Sequence, residues 1–140
     1  MINLSRYLAT SLLIVGLFSS SPLRAQEAIE DDTQILFVFD ASNSMNAFWE
    51  GNRKITVATR LLSESLDELY GVPGLQLGLR VYGHQTKFIH GEQDCDDTEL
   101  VVPFSTGNNL VVKRALSRIQ ARGTTPIARS LERAAEDFKP

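Results

Sequence analysis

Cysteine is almost missing from this chain: Cys95 is the only one in 140 residues. It has no partner within the sequence, so in an oxidising compartment it either pairs outside the chain or stays a free thiol. Histidine is nearly as scarce. His84 and His90 flank a polar loop, and no serine or cysteine is placed to use either as a base, so no nucleophilic triad can be assembled. Basic residues are outnumbered, 14 against 17 acidic, for a formal net charge of −3. That balance leaves no footprint for nucleic acid and argues against an anionic membrane surface. No Gly-rich phosphate loop follows any predicted strand. There are no repeats and no low-complexity tracts.

The longest apolar stretch, Leu8 to Phe18, is too short for a membrane span. It follows the basic Arg6 and leads through a Ser/Pro stretch to Ala25, a small residue suited to cleavage. This is the architecture of a secretory signal segment over residues 1–25, with an uncleaved N-terminal anchor as the alternative. No cysteine lies near the cleavage point to carry a lipid. Removal of residues 1–25 takes away Arg6 and Arg24 and leaves twelve basic against seventeen acidic residues, a net charge of −5. Residues 26–32 read as a polar, acidic leader. Residues 33–140 are enough for one domain, and the expected location is secreted or periplasmic.

Within that domain Ile35-Leu36-Phe37-Val38-Phe39 is a continuous apolar run, the pattern of a strand buried on both faces. From about Arg53 to Tyr70 the apolar residues Ile55, Ala58, Leu62, Leu66 and Leu69 recur every three or four positions, one face of a helix that Gly71, Pro73 and Gly74 end. Leu75 to Gly83 alternates as a strand. Leu100 to Phe104 is a shorter strand, with Pro103 marking an edge. A helix is expected over Leu110 to Ile119. Another opens with Pro126 at its first position and carries Ile127, Leu131, Ala134 and Ala135 on its apolar stripe. Alternating strands and helices predict an α/β fold with an open, doubly wound, mostly parallel sheet. In such sheets ligands sit beyond the carboxyl ends of the strands.

The first strand ends there in Asp40-Ala41-Ser42-Asn43-Ser44. This Asp-x-Ser-x-Ser turn sets one carboxylate and two hydroxyls at alternate positions, an oxygen donor set for a hard cation such as Mg2+. A single carboxylate leaves much of the ion's charge uncompensated, so an acidic group from another molecule would be attracted. Other readings of the turn exist. Asp and Ser bond their own backbone in ordinary turns. A phosphatase of the Asp-x-Asp type needs a second carboxylate where Ser42 stands. An EF-hand loop starting at Asp40 needs Gly and Glu where Met45 and Gly51 stand. The cluster Asp94, Asp96, Asp97 and Glu99 matches no metal loop and reads as a solvated acidic loop. Phe48 and Trp49, just past the turn, are either core or the rim of a binding face.

The Asp-x-Ser-x-Ser turn, with Gly123-Thr124-Thr125-Pro126-Ile127 about eighty residues on, resembles the metal-ion-dependent adhesion site of the von Willebrand factor A (vWA) family. The resemblance runs from about Thr33 to Pro140. It implies that Asp40, Ser42, Ser44 and Thr125 hold Mg2+ (or Mn2+ or Ca2+), directly or through water. It implies a protein partner whose carboxylate completes the coordination. The function expected is metal-dependent protein binding and not catalysis. The rivals are a metal-dependent hydrolase or phosphatase on a similar sheet, or a non-functional fragment of a longer protein. The family's third site element, an Asp after a later strand, has no counterpart before Pro140. The resemblance also implies that Cys95 pairs with a cysteine beyond Pro140. Oligomeric state is not legible. Mass spectrometry of the exported protein is expected to show an N-terminus close to residue 26; an intact Met1 on protein recovered from the cytoplasm would contradict the export reading.

Overall fold

The computed structural model describes residues 33–138. The expected signal segment (1–25) and leader (26–32) lie outside the described residues. The apolar run forms β1 (Thr33–Asp40), which pairs in parallel with β4 (Leu75–Tyr82) in unbroken register from Thr33 opposite Leu75 to Asp40 opposite Tyr82. Between them come a 3-10 turn (Asn43–Asn46), a hairpin of β2 (Phe48–Trp49) and β3 (Asn52–Arg53), and helix α1 (Lys54–Glu68). After α1 the chain turns through Gly71.

β5 (Thr98–Thr106) runs antiparallel to β4, giving the order β1-β4-β5. The expected mostly parallel sheet is therefore mixed, with one parallel and one antiparallel pairing. The physical reason lies in residues 83–97, which form no crossover helix; the chain returns beside β4 in the opposite sense. Pro103 falls on this outer strand, as expected. It sits in a bulge where Pro103 and Phe104 together oppose the single residue Gly78. Two helices follow, α2 (Asn109–Leu116) and α3 (Ile127–Asp137). The second of the predicted helices thus ends three residues early, Arg118 and Ile119 continuing as tighter i→i−3 turns.

Strand alternation sends successive side chains to opposite faces, and helices cover both. On one face Leu75, Leu77, Leu79 and Val81 of β4 pack with Phe39, Val102, Leu66 of α1, and Val112 and Leu116 of α2. Asn109 Nδ2 donates to the Leu66 carbonyl at 2.7 Å, filling an acceptor that the end of α1 leaves open. On the other face Phe104 meets Phe138 at a ring separation of 4.9 Å, and Gly78 leaves room for Leu36. Beside them Arg80 forks onto Asp137 of α3 at 2.6 and 2.7 Å, with both side chains more than nine-tenths buried. No helix among the described residues is long and apolar enough to cross a membrane.

The Arg80–Asp137 pair generates a stability expectation. Asp137→Ala strands a buried guanidinium and should cost about 3–5 kcal/mol. Glu64→Ala, which breaks the exposed Arg60–Glu64 pair, should cost less than about 1 kcal/mol. Urea unfolding of the two variants checks the contrast.

Candidate metal centre

Asp40 is the last residue of β1, and its Oδ1 accepts the Ser42 N–H at 2.7 Å. That bond folds the chain back so that the Ser42 and Ser44 hydroxyls stand 3.0 Å apart. Ser42 is fully buried and Ser44 is exposed, so the pair spans from the floor of the site to its mouth. Tyr82 stands opposite Asp40 in the ladder, and its phenol is buried near the Asp40 carboxylate. Burial, and then the charge and hydrogen bond of Asp40, raise the tyrosine's pKa to about 12. The phenol therefore stays neutral and a donor through the physiological range.

The second loop is held against the first by backbone bonds. Asn43 N–H donates to the Gly123 carbonyl at 2.8 Å, and Arg122 N–H donates to the Ala41 carbonyl at 2.9 Å. The loop after β4 joins them, with Gly123 N–H on the Gly83 carbonyl at 2.8 Å. Three chain segments cross here with no space for side chains. A Cβ on Gly83, at φ +72°, would lie 2.5 Å from the Thr124 carbonyl oxygen and 2.7 Å from Ser42 Cα. A Cβ on Gly123 would lie 2.6 Å from Asp97 Oδ2. Through this crossing Ser44 and Thr125 come to line one cavity of about 360 Å3, together with Phe88, Gln93 and Cys95. Asp40 and Ser42 are not on the wall of that cavity. Thr124 lines the same cavity, with its hydroxyl donated to the Asp94 carbonyl.

The donor set fits a hard cation on two counts. All the oxygens are carboxylate or hydroxyl, the ligand type Mg2+ takes. Adjacent ligands of an octahedral ion with Mg–O near 2.0–2.1 Å are separated by about 3 Å, which the two serine hydroxyls match; a hydrogen bond between hydroxyls has the same length. Among the described residues no three of His, Cys, Asp and Glu come together as a metal cluster.

The acidic loop matches its reading as a solvated segment at Asp96 and Glu99, which are exposed, and departs from it at one residue. Asp97 is fully buried. Its carboxylate accepts four hydrogen bonds, from the backbone N–H groups of His84, Gln85 and Thr86 and from the Thr86 hydroxyl, at 3.0–3.2 Å. It thus pins the loop after β4 underneath the crossing. Asp96 pairs with Arg129 of α3 at 2.8 Å. His84 is partly buried, with Nε2 3.3 Å from Glu99. Phe48 and Trp49 are 70% and 57% exposed and so stand outside the core. Sequence reasoning named Gly123 and Asp97 without their roles at the crossing, and gave Tyr82 and Gly83 no part in the site. A glycine directly after a strand was the available signal for Gly83. Nothing in the spacing separated Asp97 from its acidic neighbours.

No protein-family model matches the chain. It is 31% identical over 131 residues to an uncharacterized protein of Bacillus subtilis (strain 168), YwmD; the match covers 90% of this chain and 57% of that protein. Among solved structures, the conserved hypothetical protein BatB from Bacteroides thetaiotaomicron superposes with a TM-score of 0.57 at 22% identity, over 76% of this chain and 46% of that one. An uncharacterized membrane spanning protein from Vibrio fischeri gives 0.53 at 22% identity, over 75% and 48%. The SpRpn10 VWA domain gives 0.50 at 10% identity, over 75% and 50%. The chain thus spans about half the length of the proteins it matches. These likenesses concern the fold: the chain has a vWA-like α/β fold.

The crossing carries a stability expectation of its own. Gly83→Ala should destabilise by about 3 kcal/mol or more, because a left-handed backbone and two immovable backbone neighbours both oppose the Cβ. Gly71→Ala, at φ +77° with nothing within 4 Å, should cost only about 1–2 kcal/mol. Thermal or urea denaturation distinguishes the two.

Proposed function

We propose that this chain is a metal-ion-dependent protein-binding module of an exported protein. The observation that carries the reading is the pair of serine hydroxyls 3.0 Å apart beside the Asp40 carboxylate at the strand end, with the Thr125 loop docked against them by the Asn43–Gly123 bond. In this reading Asp40, Ser42 and Ser44 hold Mg2+, and Thr125 takes part from the opposite wall of the cavity. Mn2+ substitutes for it. Ca2+, which takes six to eight oxygens, is served less well by so few donors.

Bound there, the ion supplies positive charge at the cavity mouth. Asp40 contributes the one formal negative charge among the four ligands, so part of the ion's charge remains available to an incoming carboxylate. Tyr82, opposite Asp40 in the ladder, remains neutral and adds no further negative charge to the site. The exposed Ser44 and Thr125 leave the site open toward solvent, where a partner's Asp or Glu side chain can reach it. The role is binding without turnover: no side chain in the site is placed as a general base.

Isothermal calorimetry with Mg2+ or Mn2+ tests the assignment. Asp40→Ala is expected to weaken binding about 100-fold or more, beyond the ~10–100-fold typical of losing a residue that only supports a ligand. Ser44→Ala should weaken it less. Equal affinity in wild type and Asp40→Ala would remove the basis of the reading, and Mg2+-dependent hydrolysis of a generic phosphoester would replace it with an enzymatic one.

A further inference from the structure

The hairpin beside the metal loop presents aromatic side chains to solvent. Its two-residue turn, Glu50-Gly51, has φ of +50° and +84°, the paired positive values that match the twist of a tight hairpin. Lys54 N–H closes the base of the hairpin on the Ala47 carbonyl at 2.9 Å. The fold thus holds Phe48 and Trp49 outward on a short, braced element. Trp49 leans over α1, and Met45, Trp49, Lys54, Val57, Ala58 and Leu61 enclose an open groove of about 550 Å3. Leu61 is 47% exposed. A contiguous exposed apolar surface of this kind marks an interaction site, and aromatics and Met are enriched at such sites. Ser44 lines the candidate metal cavity and Met45, the next residue of the same 3-10 turn, lines the groove.

Charge narrows the occupant. The Lys54 ammonium forms no ion pair or hydrogen bond among the described residues, although it lines the groove. Arg53, the cross-strand neighbour of Phe48, reaches only the neutral Asn46 amide at 3.4 Å. Arg60, on the far side, is already engaged by Glu64. Glu50 at the hairpin tip is the acidic residue on that side. Lys54 therefore brings an unpaired positive charge to the wall of an otherwise apolar groove.

We infer that the Met45–Trp49–Leu61 groove is a specificity subsite: it takes an aliphatic or aromatic side chain of an acidic protein segment whose neighbouring carboxylate reaches the Ser44 and Thr125 mouth. The inference rests on the metal-dependent reading and adds to it the partner's chemistry, a carboxylate with an apolar anchor at a fixed offset. The groove supplies selectivity among acidic segments, which the metal site by itself cannot distinguish.

The test is selection from a displayed library of nine-residue peptides with a fixed central Asp and random flanks, against the full chain in Mg2+. Wild type is expected to enrich aliphatic or aromatic residues at one offset from the Asp. Leu61→Glu and Trp49→Ser, both at exposed positions, should lose that preference and weaken the selected peptide about tenfold or more, the scale of an interfacial anchor. Both should retain wild-type circular dichroism and Mg2+ affinity. Trp49 is the only tryptophan, so its emission should shift when the selected peptide binds wild type. Asp40→Ala reports on the metal reading separately, since it should lower recovery of every Asp peptide while leaving the groove intact. Selection with no apolar preference, a preference that survives both groove variants, or no selection at all would overturn the inference. So would self-association abolished by Leu61→Glu, which would assign the groove to a second copy of the chain.

Discussion

Three backbone segments crossing without side chains between them is the constraint on which the rest of the site depends. The turn after β1, the loop after β4 and the loop before α3 meet at Ser42, Gly83 and Gly123. Their amides and carbonyls satisfy one another, as buried backbone groups must. The crossing removes the freedom of the Asp40–Ser44 turn, and the position of Thr125 opposite Ser44 follows from it. Asp97 reinforces the crossing from below. Its four hydrogen bonds fix residues 84–86, and its Oδ2 occupies the space that a side chain on Gly123 would take.

A site built this way is preorganised by backbone and sparing in charge. Asp40 is held by the Ser42 N–H, with the neutral Tyr82 phenol opposite it in the ladder, and the other candidate ligands are neutral hydroxyls. Neutral donors leave an attached cation electrophilic. In the function proposed, a partner's carboxylate supplies the missing negative charge, which would tie partner binding to the metal. The adjacent apolar surface, with Trp49 and Leu61 exposed beside Lys54, complements that arrangement by offering contacts that do not depend on charge.

Much of this was legible in the sequence because it is written in short-range patterns. The apolar run before Asp40 specified β1, and the three-four spacing from Ile55 to Leu69 specified α1 to within a residue or two at either end. The Asp-x-Ser-x-Ser turn and the Thr-Pro loop drew attention to the segments that meet. What was not legible depends on contacts between distant residues. The antiparallel return of β5 is decided by a link without a helix, and alternation within the strand is silent on direction. Asp97 and its exposed neighbour Asp96 are adjacent and chemically alike; only the amides of residues 84–86 distinguish them. Arg80, in an alternating strand, gave no indication that Asp137, fifty-seven positions on, would receive its guanidinium. The exposed standing of Phe48 and Trp49 is set by a hairpin of two-residue strands, too short for periodicity to register.

The most direct measurement of the central claim is a Mg2+ titration of the uniformly 15N-labelled chain followed by two-dimensional amide spectra. If the crossing assembles one cation site, the amides of Ser42, Ser44 and Thr125 should shift together along a single saturable isotherm, with Gly83 and Gly123 moving in concert. Shifts confined to Asp94 and Asp96, or no saturable shift at the crossing, would contradict the account.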